Sequence, residues 1–222
     1  MSTDSRRRFV RSAPSRADKQ RSIDLRVTRM SARDAAWWDT RVGAKHLRMS
    51  GRPDRYWSWS IFLPMCHLIE LAHRRYCRAL VIWARADNGL FVRAGMSMLI
   101  GGYPYLDART DADSYFVWFI SSADPDILKR DLQMSHPPAL GRVLLDNAIV
   151  LSQHAGSAGR IGLHAAPAGG ERLVQLYENC GLVPLPREAP LPLGVRGNND
   201  GRFLYADEPQ AERLAQLLDP RR

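Results

Sequence analysis

A short turn in the middle of the chain has features that suit a phosphate group. The segment HPPALGRV lies directly before an apolar helical stripe, and its two prolines lack backbone N–H groups. The first N–H groups of a helix have no acceptor inside the helix and lie at the positive end of its dipole, so they can bind an anion. The donors here would be Ala139, Leu140, Gly141, Arg142 and Val143, with Gly141 permitting close approach and Arg142 adding charge. The alternative is a proline-capped helix start that binds nothing.

Hydrophobic periodicity predicts the elements that position this turn. Alternation over Ile23 to Thr28 predicts a strand, and a capping box at Ser31 predicts a helix after it. One or two helices are expected between 57 and 77, then a hairpin that turns at Asp87-Asn88-Gly89. Gly101, Gly102 and Pro104 are expected to end its second strand, and SYFVWFIS is expected to be a central strand. Helix, strand, helix, strand and helix follow. The expected fold class is α/β (α+β mixed), a central mixed β-sheet flanked by helices.

The start of the chain carries most of the net charge. The 222 residues have a formal net charge of +9, and residues 1–30 hold nine Arg or Lys against three Asp. Residues 1–21 contain few apolar side chains, so we expect a disordered basic tail before a single domain over residues 22–222. Binding of nucleic acid would depend on this tail and is not expected beyond weak contacts. Removal of residues 1–21 is therefore expected to leave the domain's activity unchanged.

Composition excludes several other classes of protein. Hydrophobic residues make up 45% of the chain, yet no apolar run reaches the roughly 18 to 20 residues that a membrane span requires. Cys66, Cys77 and Cys180 lie among apolar neighbours without metal-binding spacing, which is typical of reduced thiols in a reducing compartment. The sequence therefore predicts a cytoplasmic protein with no membrane association and no metal site.

Residues 115–185 resemble the GCN5-related N-acetyltransferase (GNAT) superfamily, and the order of elements extends the resemblance over residues 22–207. In that superfamily a strand leads to a pyrophosphate-binding turn of the form Gln/Arg-x-x-Gly-x-Gly/Ala. The positions of that motif are His136, Ala139 and Gly141 here, and the first two depart from the usual residues. The resemblance implies a GNAT-like sheet and acetyl-CoA as cosubstrate. It also implies that the pantetheine pairs with the backbone of Phe119, Ile120 and Ser121.

The segment LYENCGL carries a second match to the superfamily. There, a tyrosine on this helix protonates the departing thiolate of coenzyme A and a glycine ends the helix, positions held here by Tyr177 and Gly181. A phenol, with an ordinary pKa of about 10, is protonated at neutral pH and can act as a general acid. The alternative is that Tyr177 is a core aromatic residue. An asparagine often found earlier in the superfamily is replaced by Gly170, which leaves one pantetheine contact unsupported.

The amine that attacks a thioester must lose a proton, and His164 is the first candidate base. It ends the strand RIGLHA on the face opposite Ile161 and Leu163, and imidazole titrates near neutral pH. A hydrogen-bonded structural histidine is the alternative. Deprotonation through a water chain is the other route, and Ser121 and Asp124 are weaker candidates.

The resulting functional prediction is an acyl-CoA-dependent N-acyltransferase. It would transfer an acetyl group from acetyl-CoA by direct attack of a primary amine, on a small molecule or a peptide, and it leaves a homodimer open. The alternative is a catalytically degenerate domain of GNAT fold that binds acyl-CoA or a protein, which the departures at His136, Ala139 and Gly170 favour.

Overall fold

A computed structural model describes residues 7–44, 52–73, 76–107, 110–192, 195 and 198–222. The strands are β1 (Ser12–Pro14), β2 (Ser22–Arg29), β3 (Cys77–Arg85), β4 (Phe91–Pro104), β5 (Asp113–Ser122), β6 (Ile161–His164), β7 (Val183–Pro184) and β8 (Phe203–Ala206). The α-helices are α1 (Ala32–Trp38), α2 (Trp59–His73), α3 (Pro125–Arg130), α4 (Gly141–His154), α5 (Gly170–Asn179) and α6 (Glu208–Gln216).

The eight strands form one mixed sheet in the order β1-β2-β3-β4-β5-β6-β8-β7. Strands β1 to β5 pair with one another in succession, and each of these pairs is antiparallel. Strand β6 is parallel to β5, and β8 is antiparallel to β6 and to β7. Helices cover both faces: Leu99 of β4 packs in the cluster of Leu145 from α4, whereas the next residue, Ile100, packs in the cluster of Leu63 from α2. The predicted fold class is confirmed.

The two parallel strands separate soon after they meet. Strand β5 pairs with β6 only from Tyr115 to Val117, although it continues to pair with β4 as far as Ser122. A register shift against β4 leaves Trp118 without a partner on that strand, at the point where the separation begins. Such a bulge bends a strand and increases its twist. An open wedge therefore follows between β5 and β6.

Most predicted elements are present, with one boundary corrected. The capping box at Ser31 forms, and Gly89 in the hairpin turn has a φ of 83°. Strand β4, however, continues through Gly101 and Gly102 and ends only at Pro104. A Cβ at Gly101 would lie 2.6 Å from the ring of Tyr115, so glycine at this position permits the pairing of β4 with β5 to continue. No helix within the described residues is both long and apolar enough to cross a membrane.

The expectation of a disordered tail over residues 1–21 is wrong for residues 7–21, while residues 1–6 lie outside the described part of the chain. Strand β1 pairs with β2, and Val10 and Ala13 are fully buried. The side chain of Arg7 is paired with Glu212 of α6 and with Asp219. Two buried apolar residues and ion pairs to the end of the chain are enough to dock a segment whose composition alone indicates disorder.

Candidate functional site

A cavity of about 1160 Å³ extends along the wedge between β5 and β6. Its walls come from the separated parts of both strands, the first turn of α4, the inner face of α5 and the loop before α2. Three residues predicted from the sequence to act at different steps line it together: Gly141, His164 and Tyr177. The cavity therefore joins the predicted phosphate end to both candidate proton-transfer groups.

The phosphate end lies at the start of α4. A Cβ added to Gly141 would meet no atom within 4 Å, so this position faces open space. The N–H groups of Gly141, Arg142 and Val143 belong to the first turn of a 14-residue helix, where they have no acceptor within the helix. Of these three residues Gly141 lines the cavity, where its backbone N–H can meet an anion.

The backbone N–H of Ala139 is not available to bind a phosphate, contrary to the prediction. Its backbone N–H donates to the carbonyl oxygen of Pro14 at 2.9 Å, because the N-terminal segment lies against this loop. The prediction that Ala139 supplies a free donor to a phosphate is therefore wrong. The other predicted residues that do not line the cavity are Ser121, His136, Leu140, Arg142 and Val143.

Three arginines that sequence reasoning missed line the cavity, and one of them is Arg172 of α5. Arg16 comes from the N-terminal segment, and Arg52 comes from the loop before α2. Burial and the neighbouring charge of Arg52 both lower the pKa of Arg16, and Asp124 opposes this shift weakly. Arg52 itself is held by Asp54, to which Nε and one terminal nitrogen donate at 2.9 and 2.8 Å. The charge of Arg52 is therefore compensated, whereas Arg16 has no ion-pair partner among the described residues.

Asp54 connects this loop to the central strand. Its carboxylate is buried and accepts a hydrogen bond from Ser121 Oγ at 2.5 Å. Ser121 is therefore engaged as a donor, which argues against its role as a base. Asp124 is engaged as well, because its side chain caps the N-terminus of α3. The two weaker candidate bases both have structural roles.

The middle of the cavity is apolar and aromatic. Phe119 and Ile120 of β5, two of the residues whose backbone is predicted to pair with pantetheine, line it. The ring of Phe119 stacks on Phe62 of α2 at 3.9 Å between centroids, and Trp57 packs edge-on against Phe119 at 4.9 Å. These two contacts hold the Phe119 ring in place from the side of α2. Beyond Val117, the edge of β5 that faces β6 has no strand partner among the described residues and can pair with an extended ligand.

Tyr177 enters the cavity from α5. Its hydroxyl forms no hydrogen bond with any residue of the described chain. Burial raises the pKa of Tyr177 well above its usual value, and the neighbouring Cys180 and Asp54 raise it further. The phenol is therefore protonated at neutral pH and free to donate.

His164 enters from the other side of the sheet. Side chains alternate across a strand, so His164 faces away from Leu163, which packs in the same cluster as Tyr177. Its Nε2 lies 3.1 Å from both carboxylate oxygens of Asp200, and its side chain is 32% exposed. Although burial opposes it, the hydrogen bonds from His164 and the Arg202 backbone lower the pKa of Asp200. A carboxylate orients the imidazole, and the ring remains accessible.

The missed residues gave little signal in the sequence. Arg52 and Asp54 flank a proline in a polar loop without periodicity, and Arg16 is one of many arginines near the start of the chain. Only the folded chain brings them to one cavity. Among the described residues, no group of three or more His, Cys, Asp or Glu side chains could hold a metal ion.

Comparisons with known proteins return solved structures only. No family model matches the chain, and no curated protein matches it. An acetyltransferase of the GNAT family from Staphylococcus aureus Mu50 matches with a TM-score of 0.49 and 13% identity, over 83% of this chain and 99% of that one. Spermidine N-acetyltransferase from Vibrio cholerae, in complex with CoA and spermine, matches with a TM-score of 0.47 and 15% identity, over 85% and 98% of the two chains.

A third structure, AtaTR bound with acetyl-CoA, matches with a TM-score of 0.46 and 15% identity, over 86% of this chain and 98% of that one. The matched proteins include members of the superfamily that the sequence motifs resemble. A likeness of this extent concerns the arrangement of helices and strands, and it assigns no activity to this chain.

Proposed function

We propose that this chain is an acyl-CoA-dependent N-acyltransferase of the GNAT superfamily that transfers an acetyl group from acetyl-CoA to a primary amine. One observation carries the proposal. A helix start with open backbone donors and a tyrosine hydroxyl without a partner lie along the same cavity, which opens where β5 and β6 separate. An acyl-CoA has a matching order of groups: phosphates at one end, an extended pantetheine and a thioester at the other.

The residues present fit acetyl-CoA in three respects. The open space at Gly141 would admit a phosphate to the first turn of α4. The unpaired edge of β5 would take up the amide groups of an extended pantetheine, as an added strand does. The apolar wall at Phe119 and Ile120 would contact its methylene groups.

Acetyl-CoA would supply the acetyl group as a thioester. The attacking amine forms a C–N bond at the thioester carbonyl, the C–S bond breaks, and the sulfur leaves with the electron pair. Tyr177 would donate its hydroxyl proton to that sulfur, since the phenol is protonated and has no other partner. It would recover a proton from solvent before the next turnover.

His164 would take the proton from the amine, directly or through water. Its pairing with Asp200 fixes the orientation of the ring. His164 and Tyr177 enter from opposite faces of the sheet, so the base and the acid would act on two sides of a thioester held between β5 and β6. This separation suits one group that accepts a proton and another that donates one.

Ligand-induced thermal stabilisation tests the cofactor site. Coenzyme A at about 100 times its Kd should add roughly 2.7 kcal/mol to the stability of the wild-type protein. The variant Gly141→Val should lose this shift, because the new side chain occupies the space through which a phosphate would approach. Gln175→Val, on the exposed side of α5 and outside the cavity, is the matched control and should keep the shift.

A wild-type protein that coenzyme A does not stabilise would overturn the proposed function. If Gly141→Val were stabilised as much as the wild type, the assignment of the phosphate end to α4 would be wrong.

A further inference from the structure

The N-terminal segment is part of the wall at the phosphate end. The carbonyl oxygen of Pro14 accepts from Ala139 N–H at 2.9 Å, and Arg16 N–H donates to the carbonyl oxygen of Pro137 at 2.8 Å. Residues Ser15 and Pro138 form an isolated antiparallel bridge between these two bonds. On its other side the segment pairs with β2 from Ser12 to Pro14. Residues 12–16 are thus held between the sheet and the loop that leads into α4.

This docking places at the cavity a guanidinium that has no ion-pair partner among the described residues, although Asp124 acts on it electrostatically. The Nε of Arg16 donates only to the carbonyl oxygen of Pro138, at 3.4 Å, and no carboxylate within the described residues pairs with it. Arg52 lies close enough for the two charges to repel each other, yet its own charge is compensated by Asp54. Arg16 therefore has free guanidinium N–H groups at a cavity wall, next to a second cation.

Two like charges at one wall are stabilised when an anion binds between them or beside them. The same wall contains the first turn of α4 at Gly141, whose N–H groups also favour an anion. A guanidinium presents five N–H donors in a planar fork and binds phosphate through two of them at once. The segment thus accepts the hydrogen bond of the Ala139 N–H, which is then unavailable to a phosphate. In exchange it places the charged guanidinium of Arg16, a stronger donor, at the cavity.

We propose that residues 12–16 are a fixed part of the cofactor site and that Arg16 binds a phosphate group of the acyl-CoA. The inference rests on the proposed function. It reverses the expectation that residues 1–21 can be removed without loss, because the charge that compensates the phosphate is lost with them. A phosphate-free fragment of the cofactor should not depend on this residue.

The test compares two ligands on the full chain, coenzyme A and pantetheine, by titration calorimetry. The wild-type protein should bind coenzyme A more tightly than pantetheine. Arg16→Gln should weaken the binding of coenzyme A by about 10- to 100-fold, the usual effect of a lost hydrogen bond to a charged group, and leave pantetheine binding unchanged. Arg16→Lys retains the charge without the fork and should give an intermediate affinity. Arg21→Gln, an identical charge change on an exposed residue outside the cavity, is the control and should bind as the wild type does.

The outcomes separate the two proposals. If the wild type binds coenzyme A and Arg16→Gln binds it equally well, the role of Arg16 is wrong and the proposed function stands. If Arg16→Gln weakens both ligands equally, its effect is structural and the phosphate contact is wrong. If the wild type binds neither ligand, the proposed function fails and this inference fails with it.

Discussion

Tyr177 combines a raised pKa with the proposed role of proton donor. Burial raises its pKa, as do the nearby Cys180 and Asp54, so the phenol stays protonated above its ordinary titration range near pH 10. The residue is half-buried, and its hydroxyl has no protein partner within the described chain although it lines the cavity. A donor kept protonated and unpaired suits a role in which its partner, the thiolate, forms only as the C–S bond breaks.

Replacement of Tyr177 by phenylalanine retains the ring and removes the donor. We expect the melting temperature to change little, kcat to fall by about 100-fold, and KM for acetyl-CoA to stay nearly constant, because the lost interaction belongs to the transition state. Tyr115→Phe is the matched control: it removes a hydroxyl from another buried tyrosine, which does not line the cavity, and should keep its activity. Full activity in Tyr177→Phe would make Tyr177 a packing residue.

At the scale of elements, the N-terminal segment shows how composition can mislead. Its basic residues predict disorder, but Arg7 is paired with Glu212 and Asp219, and the amide of Arg11 donates to the carbonyl oxygen of Arg221 at 2.8 Å. Hydrogen bonding to Arg7 lowers the pKa of Glu212. The pKa of Asp219 is also lowered, because hydrogen bonds from Arg222 and Arg7 outweigh the effect of burial. The segment is held partly by carboxylates that must stay ionised.

Acid should therefore release the segment before it unfolds the sheet. A carboxylate with a lowered folded-state pKa contributes stability that is present above its unfolded pKa, near 4, and is lost as the pH falls through the folded value. We expect amide hydrogen exchange in residues 7–13, corrected for its intrinsic pH dependence, to be slow at pH 6 and to become fast as the pH falls below about 4 and through the lowered folded-state pKa values. Arg7→Gln should exchange quickly at pH 6, and Arg21→Gln, which keeps these pairs, should not. A segment that stays protected in Arg7→Gln would show that the buried Val10 and Ala13 suffice to hold it.

For the whole molecule, sequence periodicity identified the elements that carry the site. The helix after Gly141, the strand that ends at His164 and the amphipathic helix of Tyr177 all follow from local patterns, and the fold brings these residues to one cavity. The contributions of Arg16, Arg52 and Asp54 could not be predicted, because they depend on contacts between distant parts of the chain. For the same reason, the sequence motif could not show that the N–H of Ala139 donates to the carbonyl oxygen of Pro14.

The most direct test of the central claim is the stoichiometry of acyl transfer. The full chain would be incubated with isotopically labelled acetyl-CoA and a panel of primary amines, and both free thiol and labelled acetylamide would be measured by mass spectrometry. The account predicts that at least one amine yields the two products in a 1:1 ratio, at a rate about 100-fold above that of Tyr177→Phe. Binding of acetyl-CoA without labelled amide from any amine would contradict it and favour a catalytically degenerate binding domain.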